Sequence, residues 1–208
     1  GDVRFPSGHV CCAANAIAWA GKSFLIMPDL QHVDTWIFDL DNTLYPADCN
    51  LFRQIDARMA AFIEARLGLP PEKARSLQKD YYVRYGTTLS GLMREHGVSP
   101  DEFLAFVHDI DVTVVAENKI LADRLAALPG RRFVFTNGSV QHAENVMTRL
   151  GVSAAFNDIF DIRAADFTPK PDPKSYEKFV LTREIAARSA AMFEDIALNL
   201  EAPHALGM

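Results

Sequence analysis

The chain has 208 residues, of which 49% are hydrophobic and 23% are charged, a composition typical of a soluble globular protein with one domain or one domain plus an insertion. The formal net charge of −6 argues against a nucleic-acid polymer as a partner, because such partners are bound by a basic face. The net charge does not exclude a small phosphorylated molecule as a ligand, since a divalent cation and a few lysines can supply local positive charge.

The cysteines match neither a disulfide framework nor a zinc site. Cys11 and Cys12 are adjacent, and Cys49 makes the count odd. We therefore expect a reducing, cytoplasmic location. The apolar segment 9–21 is too short to span a bilayer as a helix, so no membrane partner is expected. A secretory signal peptide is the alternative interpretation of this segment, because its letters AWA resemble a cleavage site.

Organised sequence starts near Asp34. Residues 1–33 show no clear hydrophobic period and are predicted to form a poorly ordered leader. Residues 35–38, TWIF, are an apolar run that is typical of a buried strand. The run ends in Asp39 and Asp41, two carboxylates that repel each other and are costly to bury. The pair is therefore a solvated turn, a metal site, or a nucleophile with an acid–base partner.

Residues 49–111 are predicted to form a helical insertion. Apolar residues recur there at three- and four-residue steps, which gives the first helix one apolar face: Leu51, Ile55, Met59, Phe62 and Ile63. Glycines and prolines divide the segment into about four helices. The last of these opens at Ser99, which can cap the helix together with Glu102.

Strands and helices alternate after this insertion. The predicted strands cover residues 132–135, 158–162 and 190–193, and the predicted helices cover 120–128, 140–150, 173–181 and 197–206. Such alternation predicts a parallel sheet with right-handed crossovers. The predicted fold is an α/β domain, residues 34–48 and 112–208, which the helical segment 49–111 interrupts after the first strand.

Polar residues follow the strands of this predicted sheet and therefore lie at its carboxyl edge. Ligands of open parallel sheets bind at this edge. The polar residues are Asp39 and Asp41 after the first strand, residues 136–139 (TNGS) after the second, Lys170 between two prolines of the loop TPKP, and Glu194 with Asp195 after the last strand.

This set predicts phosphoryl transfer with a bound Mg²⁺. Asp39, Asp41 and Asp195 offer the hard oxygen ligands that Mg²⁺ prefers. Asp39 can attack phosphorus as a covalent nucleophile, while Lys170 and the cation supply positive charge. Asp41 can protonate the leaving alcohol and later deprotonate water. Thr136 and the backbone N–H groups of Asn137 and Gly138 are expected to hold phosphoryl oxygens at the start of the next helix.

Each of these elements has a simpler interpretation when it is taken alone. A pair of aspartates is more often a solvated turn, TNGS is an ordinary strand end, and a lysine between prolines usually lies in a surface loop. Asp195 can cap the helix that follows it. Four elements in the right order at one sheet edge favour the enzymatic interpretation over these separate ones.

The order DLDNTLYP, FTNGS, PKP and FEDIALN resembles the four motifs of the haloacid dehalogenase (HAD) superfamily, over residues 35–208. The resemblance implies a HAD-like Rossmannoid core of subfamily IA and an aspartyl-phosphate mechanism with Mg²⁺. It also implies a role for each residue. Asp39 would be the nucleophile, Asp41 the acid–base residue and Thr136 a phosphate ligand. Lys170 would stabilise negative charge, Asp195 would bind the metal, and Glu194 and Asn199 would be supporting residues. The presence of Asp41 argues against the dehalogenase branch, which does not need that acid.

The insertion resembles the C1 helical cap of this superfamily. Residues 81–92 (YYVRYGTTLSGL) and 107–111 (VHDID) are similar to the pyrimidine 5′-nucleotidase-like branch, which implies a pyrimidine nucleoside 5′-monophosphate as substrate. Sugar phosphates, other small phosphate esters, or a catalytically silent HAD-like fragment are the alternatives. The expected substrate contacts in the cap are Tyr81, Tyr82, Tyr85, Thr87 and Thr88.

Two further expectations concern the cap and the sheet edge. Helix packing is the alternative role for the three cap tyrosines, and His96 and His108 are expected to be structural. Members of the family continue into a further strand past the position of Met208, so we expect the sheet to have an exposed edge.

Overall fold

Residues 30–208 of the chain are described by a computed structural model. The predicted leader, residues 1–33, falls almost entirely outside these residues and stays a prediction. Within the described residues, every helix is too short or too polar to cross a membrane.

The described chain is built around one parallel sheet. Its strands are β1 (Thr35–Phe38), β2 (Arg131–Phe135), β3 (Asp158–Phe160) and β4 (Ala190–Phe193). Its α-helices are α1 (Leu51–Leu67), α2 (Pro71–Tyr85), α3 (Thr88–His96), α4 (Pro100–Val107), α5 (Lys119–Ala127), α6 (Val140–Leu150), α7 (Pro173–Thr182) and α8 (Glu201–Leu206). The strands pair in parallel in the order β3-β2-β1-β4. This arrangement confirms the predicted α/β fold class.

Both faces of the sheet are buried, and successive strand residues point to opposite faces. Trp36 and Phe38 of β1 join Val134 of β2 in a cluster that includes the apolar face of α6. Ile37 and Phe135 belong to a second cluster, which includes residues of α7. Burial on both sides explains why residues 36–38 of β1 are all apolar instead of alternating with polar residues.

Helices α1 to α4 follow β1 in the chain and have an apolar cluster of their own. At its centre Phe62 meets Phe103 and Phe106 edge-on, with ring centroids 5.2 and 5.5 Å apart. Ile162, in the loop after β3, is buried in the same cluster. The helical insertion therefore packs against a loop at the carboxyl end of the sheet.

The last predicted helix, residues 197–206, is divided in the structure. Ala197–Leu200 forms a 3-10 turn, and α8 begins only at Glu201. Pro203 lacks the N–H group that would bond to the carbonyl of Asn199 in a continuous helix. The hydroxyl of Tyr176 donates to that carbonyl instead, at 2.7 Å. The proline thus explains the difference from the prediction.

Strand β3 is also shorter than the predicted residues 158–162. Asp161 lies just past its end and accepts hydrogen bonds from the N–H groups of Ala164, at 2.9 Å, and Val140, at 3.2 Å. The bond from Ala164 belongs to the turn that ends the strand, and the bond from Val140 ties this turn to the start of α6.

Gly130 allows β2 to begin beside β1. Its φ of +75° is a conformation that residues with a Cβ rarely adopt. A Cβ at this position would lie 1.9 Å from the carbonyl oxygen of Asp34. The same oxygen accepts a hydrogen bond from the N–H of Arg131 at 2.8 Å, which is the first link between the two strands.

Gly130→Ala should lower the free energy of unfolding by more than about 2 kcal/mol, since the left-handed conformation alone costs roughly 1–2 kcal/mol and the clash adds to it. Gly68→Ala is a matched control, because Gly68 has a φ of +64° but no described atom within 4 Å of the added Cβ. Urea unfolding measures both variants. Equal losses would contradict the clash at Gly130.

Candidate active site

Asp39 follows β1 directly and continues its ladder, since its N–H donates to the carbonyl of Phe193 in β4 at 2.9 Å. The residue is only 6% exposed. Thr43 Oγ1 donates to its Oδ2 at 3.1 Å, and Lys170 Nζ donates to its Oδ1 at 2.7 Å. Both carboxylate oxygens are therefore held, and the orientation of the group is fixed.

Lys170 is buried between two carboxylates. Its Nζ donates to Asp39 Oδ1 at 2.7 Å, to Glu194 Oε1 at 2.7 Å, and to the carbonyl of Phe135 at 2.9 Å. An ammonium group has three donors, so these bonds use all of them. The side chains of Lys170 and Glu194 are each 1% exposed. Such complete pairing is what makes a buried charge tolerable.

The side chain of Asn137 holds the backbone of Lys170. The N–H of Lys170 donates to Asn137 Oδ1 at 2.8 Å, and Asn137 Nδ2 donates to the carbonyl of Lys170 at 3.1 Å. The loop after β2 and the TPKP loop are thus joined by two hydrogen bonds. This role of the amide side chain was not predicted, because the sequence pointed only to the backbone of Asn137 as a phosphate ligand.

Thr136 and Gly138 lie together in the loop after β2. Thr136 is 1% exposed, and its Oγ1 accepts the N–H of Gly138 at 2.9 Å. The Gly138 N–H, which was expected to hold a phosphoryl oxygen, is therefore engaged by the threonine. The hydroxyl proton of Thr136 is left to donate, because its oxygen acts as the acceptor of that bond.

Three carboxylates converge at the ends of β1 and β4. Asp39, Glu194 and Asp195 each offer an oxygen within 4.8 Å of the others. Hard oxygen donors at this spacing suit Mg²⁺. The carboxylate of Asp41, predicted as a metal ligand, is outside this group, whereas Glu194, predicted as a supporting residue, belongs to it.

Glu194 also fixes the loop that follows β4. Its Oε1 accepts a hydrogen bond from Asn199 Nδ2 at 2.6 Å, and its Oε2 accepts the N–H of Ile196 at 2.7 Å. The structure thus brings Asn199 into contact with Glu194, the two residues that were predicted to have supporting roles. The contact also explains why the chain forms a tight turn before α8.

Burial and charge shift the pKa values of this group in different directions. Burial raises the pKa of Asp39 to about 6, although the charge of Lys170 opposes the rise. Burial and the charge of Glu194 raise the pKa of Asp195. Burial also acts to raise the pKa of Glu194, but the charge of Lys170 and the hydrogen bonds from Lys170, Ile196 and Asn199 together bring it below its usual value. The group therefore carries more negative charge than the single ammonium offsets.

Asp41 lines the same cavity but is held by different partners. Its Oδ1 accepts the hydroxyl of Tyr45 at 2.6 Å and lies 2.8 Å from Nε2 of His142. Burial alone would raise the pKa of Asp41, but His142 and Tyr45 together bring it below its ordinary value. The side chain is 16% exposed, so it reaches the cavity from a mostly buried position.

Two histidines that were not predicted as site residues stack beside Asp41. The rings of His108 and His142 lie 4.4 Å apart and are nearly parallel, with an interplanar angle of 11°. Burial and the neighbouring His142 lower the pKa of His108 to about 3, so this ring is neutral. The available signal for His142 was a histidine on the buried face of a helix that begins directly after TNGS.

A cavity of about 390 Å³ joins the acidic group to the helical insertion. Its wall on the insertion side is mainly apolar and includes Phe52, Ile55, Met59, Leu89, Phe103, Leu104 and Val107. Polar side chains interrupt this wall at Asp56, Gln78, Lys79, Thr87 and Thr88. The cavity thus has a charged end at the sheet and an apolar end with a few polar groups.

The five predicted substrate contacts of the cap divide into two groups. Tyr82, Thr87 and Thr88 line the cavity. Tyr81 and Tyr85 are outside its lining and bond to α3 instead: Tyr81 OH lies 2.6 Å from His96 Nε2, and Tyr85 OH donates to Glu95. For these two tyrosines the structure therefore shows helix packing, which was the alternative role.

Gln78 is a polar cavity residue that the sequence did not single out. It is 6% exposed, and its Nε2 donates to Asp56 Oδ1 at 2.7 Å. Because the amide donor is engaged in this way, the carbonyl oxygen of the side chain is the group that Gln78 offers as an acceptor.

Solved structures with a similar fold include an L-2-haloacid dehalogenase from Xanthobacter autotrophicus. It has a TM-score of 0.53 and 16% identity, over 85% of this chain and 75% of that one. The UTR4 protein of Saccharomyces cerevisiae has a TM-score of 0.52 and 15% identity, over 85% of this chain and 87% of its own. At these identities the likeness shows the fold alone.

Sequence comparison adds a curated relative and a family. Phosphate metabolism protein 8 of Saccharomyces cerevisiae is 25% identical over 191 residues, which cover 83% of this chain and 59% of that protein. This chain therefore spans less than two thirds of the length of the relative. The profile of the haloacid dehalogenase-like hydrolases matches residues 33–207, and the chain belongs to this family of hydrolases.

Proposed function

We propose that this protein is a Mg²⁺-dependent phosphomonoesterase that forms an aspartyl phosphate on Asp39. The observation that carries the proposal is the buried pair of Asp39 and Lys170, 2.7 Å apart, with a second carboxylate, Asp41, in the same cavity. Family membership supports hydrolysis. The similarity to Phosphate metabolism protein 8 supports a phosphorylated substrate.

In the first step, a carboxylate oxygen of Asp39 attacks phosphorus, and the bond from phosphorus to the alcohol oxygen breaks. Asp41 gives its proton to that oxygen, so a neutral alcohol leaves. A dianionic phosphate bound beside Asp41 would favour the protonated form of this carboxyl, which is the form needed here. Lys170 holds Asp39 in position, and the hydroxyl of Thr136 donates to a phosphoryl oxygen.

In the second step, water attacks the phosphorus of the aspartyl phosphate. Asp41, now a carboxylate, takes a proton from this water. The bond between Asp39 and phosphorus breaks, which releases inorganic phosphate and restores the carboxylate. His142 and Tyr45 lower the pKa of Asp41, which keeps the group ionised, and the ionised form is the one that can accept a proton.

Asp39, Glu194 and Asp195 are the residues that would hold Mg²⁺, since their carboxylate oxygens lie within reach of one ion. The ion supplies positive charge that stabilises the phosphoryl oxygens as negative charge moves. Asp41 lies outside this group and its Oδ1 is bonded to Tyr45 and His142, which supports a role in proton transfer rather than in metal binding.

We also propose that residues 49–111 act as a cap over a core of residues 34–48 and 112–208, and that the cap selects a pyrimidine nucleoside 5′-monophosphate. Tyr82 is 54% exposed and lines the cavity, where it can stack on a base. Thr87 and Gln78 offer hydrogen-bonding groups to the base or the sugar. The apolar wall excludes water from the reacting group.

A cytoplasmic location and a small phosphorylated partner complete the proposal. The location rests on the cysteine pattern, with Cys49 as a free thiol among the described residues. The partner rests on the size of the cavity and its charged end.

Asp39→Asn should reduce phosphate release below detection, because an amide cannot form the acyl phosphate. The fold should persist, since burial already disfavours the charged form of Asp39 and the amide is neutral.

EDTA should stop the wild-type enzyme, and Mg²⁺ should restore it. Phosphate release and thermal unfolding are the measurements. Normal turnover by Asp39→Asn, or by wild type in a verified metal-free sample, would sink the mechanism.

Mg²⁺ should raise the melting temperature of the wild-type protein in the absence of substrate, and the effect should weaken on acidification. The metal needs an ionised Asp39, whose pKa is about 6. Below this pH the affinity should fall about tenfold per pH unit, because one proton competes with the ion. Thermal shifts over a Mg²⁺ series at several pH values measure the affinity.

Two variants complete this metal test. Asp39→Asn should lose most of the shift, whereas Asp123→Asn, which changes an exposed aspartate of α5, should keep it. A pH-independent shift, or an equal loss in both variants, would show that the ion binds elsewhere.

Uridine monophosphate should have a higher kcat/KM than a hexose phosphate, because the sugar has no base to stack on Tyr82. Loss of one stacked contact costs roughly 1–3 kcal/mol, or about ten- to a hundredfold in rate constant. Tyr82→Ala should remove this preference. Val83→Ala is the matched control, since Val83 is the next residue of α2 and is 80% exposed. Equal values for the two substrates in the wild type would refute the nucleotide assignment and leave the phosphatase proposal standing.

A further inference from the structure

One oxygen of the proposed acid–base residue, Asp41, accepts hydrogen bonds from two donors. The hydroxyl of Tyr45 reaches Asp41 Oδ1 at 2.6 Å, and Nε2 of His142 reaches the same atom at 2.8 Å. We propose that His142, together with Tyr45, is a positioning residue that turns Oδ2 of Asp41 toward the leaving oxygen of the substrate. The inference rests on the proposed phosphatase function and assigns a part to a side chain outside the four sequence motifs.

The environment of His142 supports this role over simple core packing. The residue is 1% exposed, on the first turn of α6. An ionised carboxylate only accepts hydrogen bonds, so Nε2 carries the proton in this contact. Nδ1 is then a buried atom for which the described residues provide no hydrogen-bond partner. A buried polar atom without a partner is costly, and an apolar ring would fill the space without that cost.

His108 stacks on one face of the His142 ring and so fixes the plane of that ring. It stacks on His142 at 4.4 Å, and its Nδ1 lies 2.9 Å from Oγ of Ser139, the residue that caps α6. His108 ends α4 of the helical insertion, whereas His142 and Ser139 belong to the core. The stack therefore leaves His142 little freedom to rotate, and the direction of its N–H toward Asp41 is set.

This arrangement has a specific chemical consequence. With both donors on Oδ1, the other oxygen carries the proton that goes to the alkoxide as the bond from phosphorus to oxygen breaks. Without the donors, the carboxyl group can rotate about its last bond, and proton delivery fails. Attack by Asp39 is unaffected, because Lys170 and Thr43 hold that carboxylate. The defect should therefore appear only with leaving groups that need a proton.

The test compares two substrates that differ in this need. A primary alkyl phosphate must be protonated as the alcohol leaves, whereas 4-nitrophenyl phosphate expels a stable phenolate without help. kcat/KM reports the steps up to phosphoryl transfer, so the later hydrolysis of the aspartyl phosphate does not affect it. His142→Phe should lower kcat/KM for the alkyl ester by about a hundredfold, within the range of general acid catalysis, and leave the 4-nitrophenyl ester nearly unchanged.

Two further variants separate positioning from packing. His142→Gln keeps an N–H group near the position of Nε2 and should restore most of the alkyl activity. Tyr45→Phe removes only the second donor and should show the same selective loss as His142→Phe. This variant keeps the inference testable if the buried ring cannot be replaced without unfolding the protein.

A double variant gives the decisive comparison. Since His142 acts through Asp41, the variant carrying both Asp41→Asn and His142→Phe should match Asp41→Asn alone on both esters. Equal losses on the two esters, a faster alkyl reaction in His142→Phe, or an additive loss in the double variant would overturn the positioning role. A wild-type protein that hydrolyses neither ester would instead refute the proposed phosphatase function.

Discussion

Three protons on one buried nitrogen determine how this site is built. The ammonium of Lys170 donates to Asp39, to Glu194 and to the carbonyl of Phe135, which stand at the ends of β1, β4 and β2. Burying such charges is tolerated only when every donor has a partner. Because each partner comes from a different strand, the ammonium is satisfied only where the parallel sheet brings three strand ends together. The fold and the site therefore depend on the same contact.

The same contact leaves the local charge unbalanced. One ammonium faces Asp39 and Glu194, and Asp195 adds a third carboxylate within 4.8 Å. Burial is the largest cause of the raised pKa values of Asp39 and Asp195, and the negative charge of Glu194 adds to both. A divalent cation would relieve this surplus of negative charge and would also supply the positive charge that a phosphate dianion needs. Under the proposed function, the ion that lets the carboxylates coexist is thus also the ion that lets the site bind phosphate.

The sheet was predictable because its signals are local. The run TWIF and the later apolar runs have strand character by themselves, and a general rule brings the carboxyl ends of parallel strands together. The direction of helical side chains was not predictable in this way. Tyr81 and Tyr85 are one turn apart and pack on α3, while Tyr82 points about 100° away and lines the cavity. That phase depends on how α2 packs. Likewise, the contact between Asp41 and His142 joins residues 101 positions apart.

Different elements hold the proposed nucleophile, Asp39, and the proposed acid–base residue, Asp41. Asp39 is hydrogen-bonded to Phe193 at the end of β4, to Thr43 and to Lys170, which all lie at strand ends or in loops of the sheet. Asp41 is held by His142, whose ring stacks on His108 at the end of α4 in the insertion. A displacement of α4 would therefore disturb the proton donor and leave the nucleophile in place. Under the proposed mechanism, the position of the insertion therefore affects proton transfer by Asp41 but not attack on phosphorus by Asp39. Asp41 is oriented for proton transfer to a substrate in the cavity only when α4 of the insertion is packed against the core.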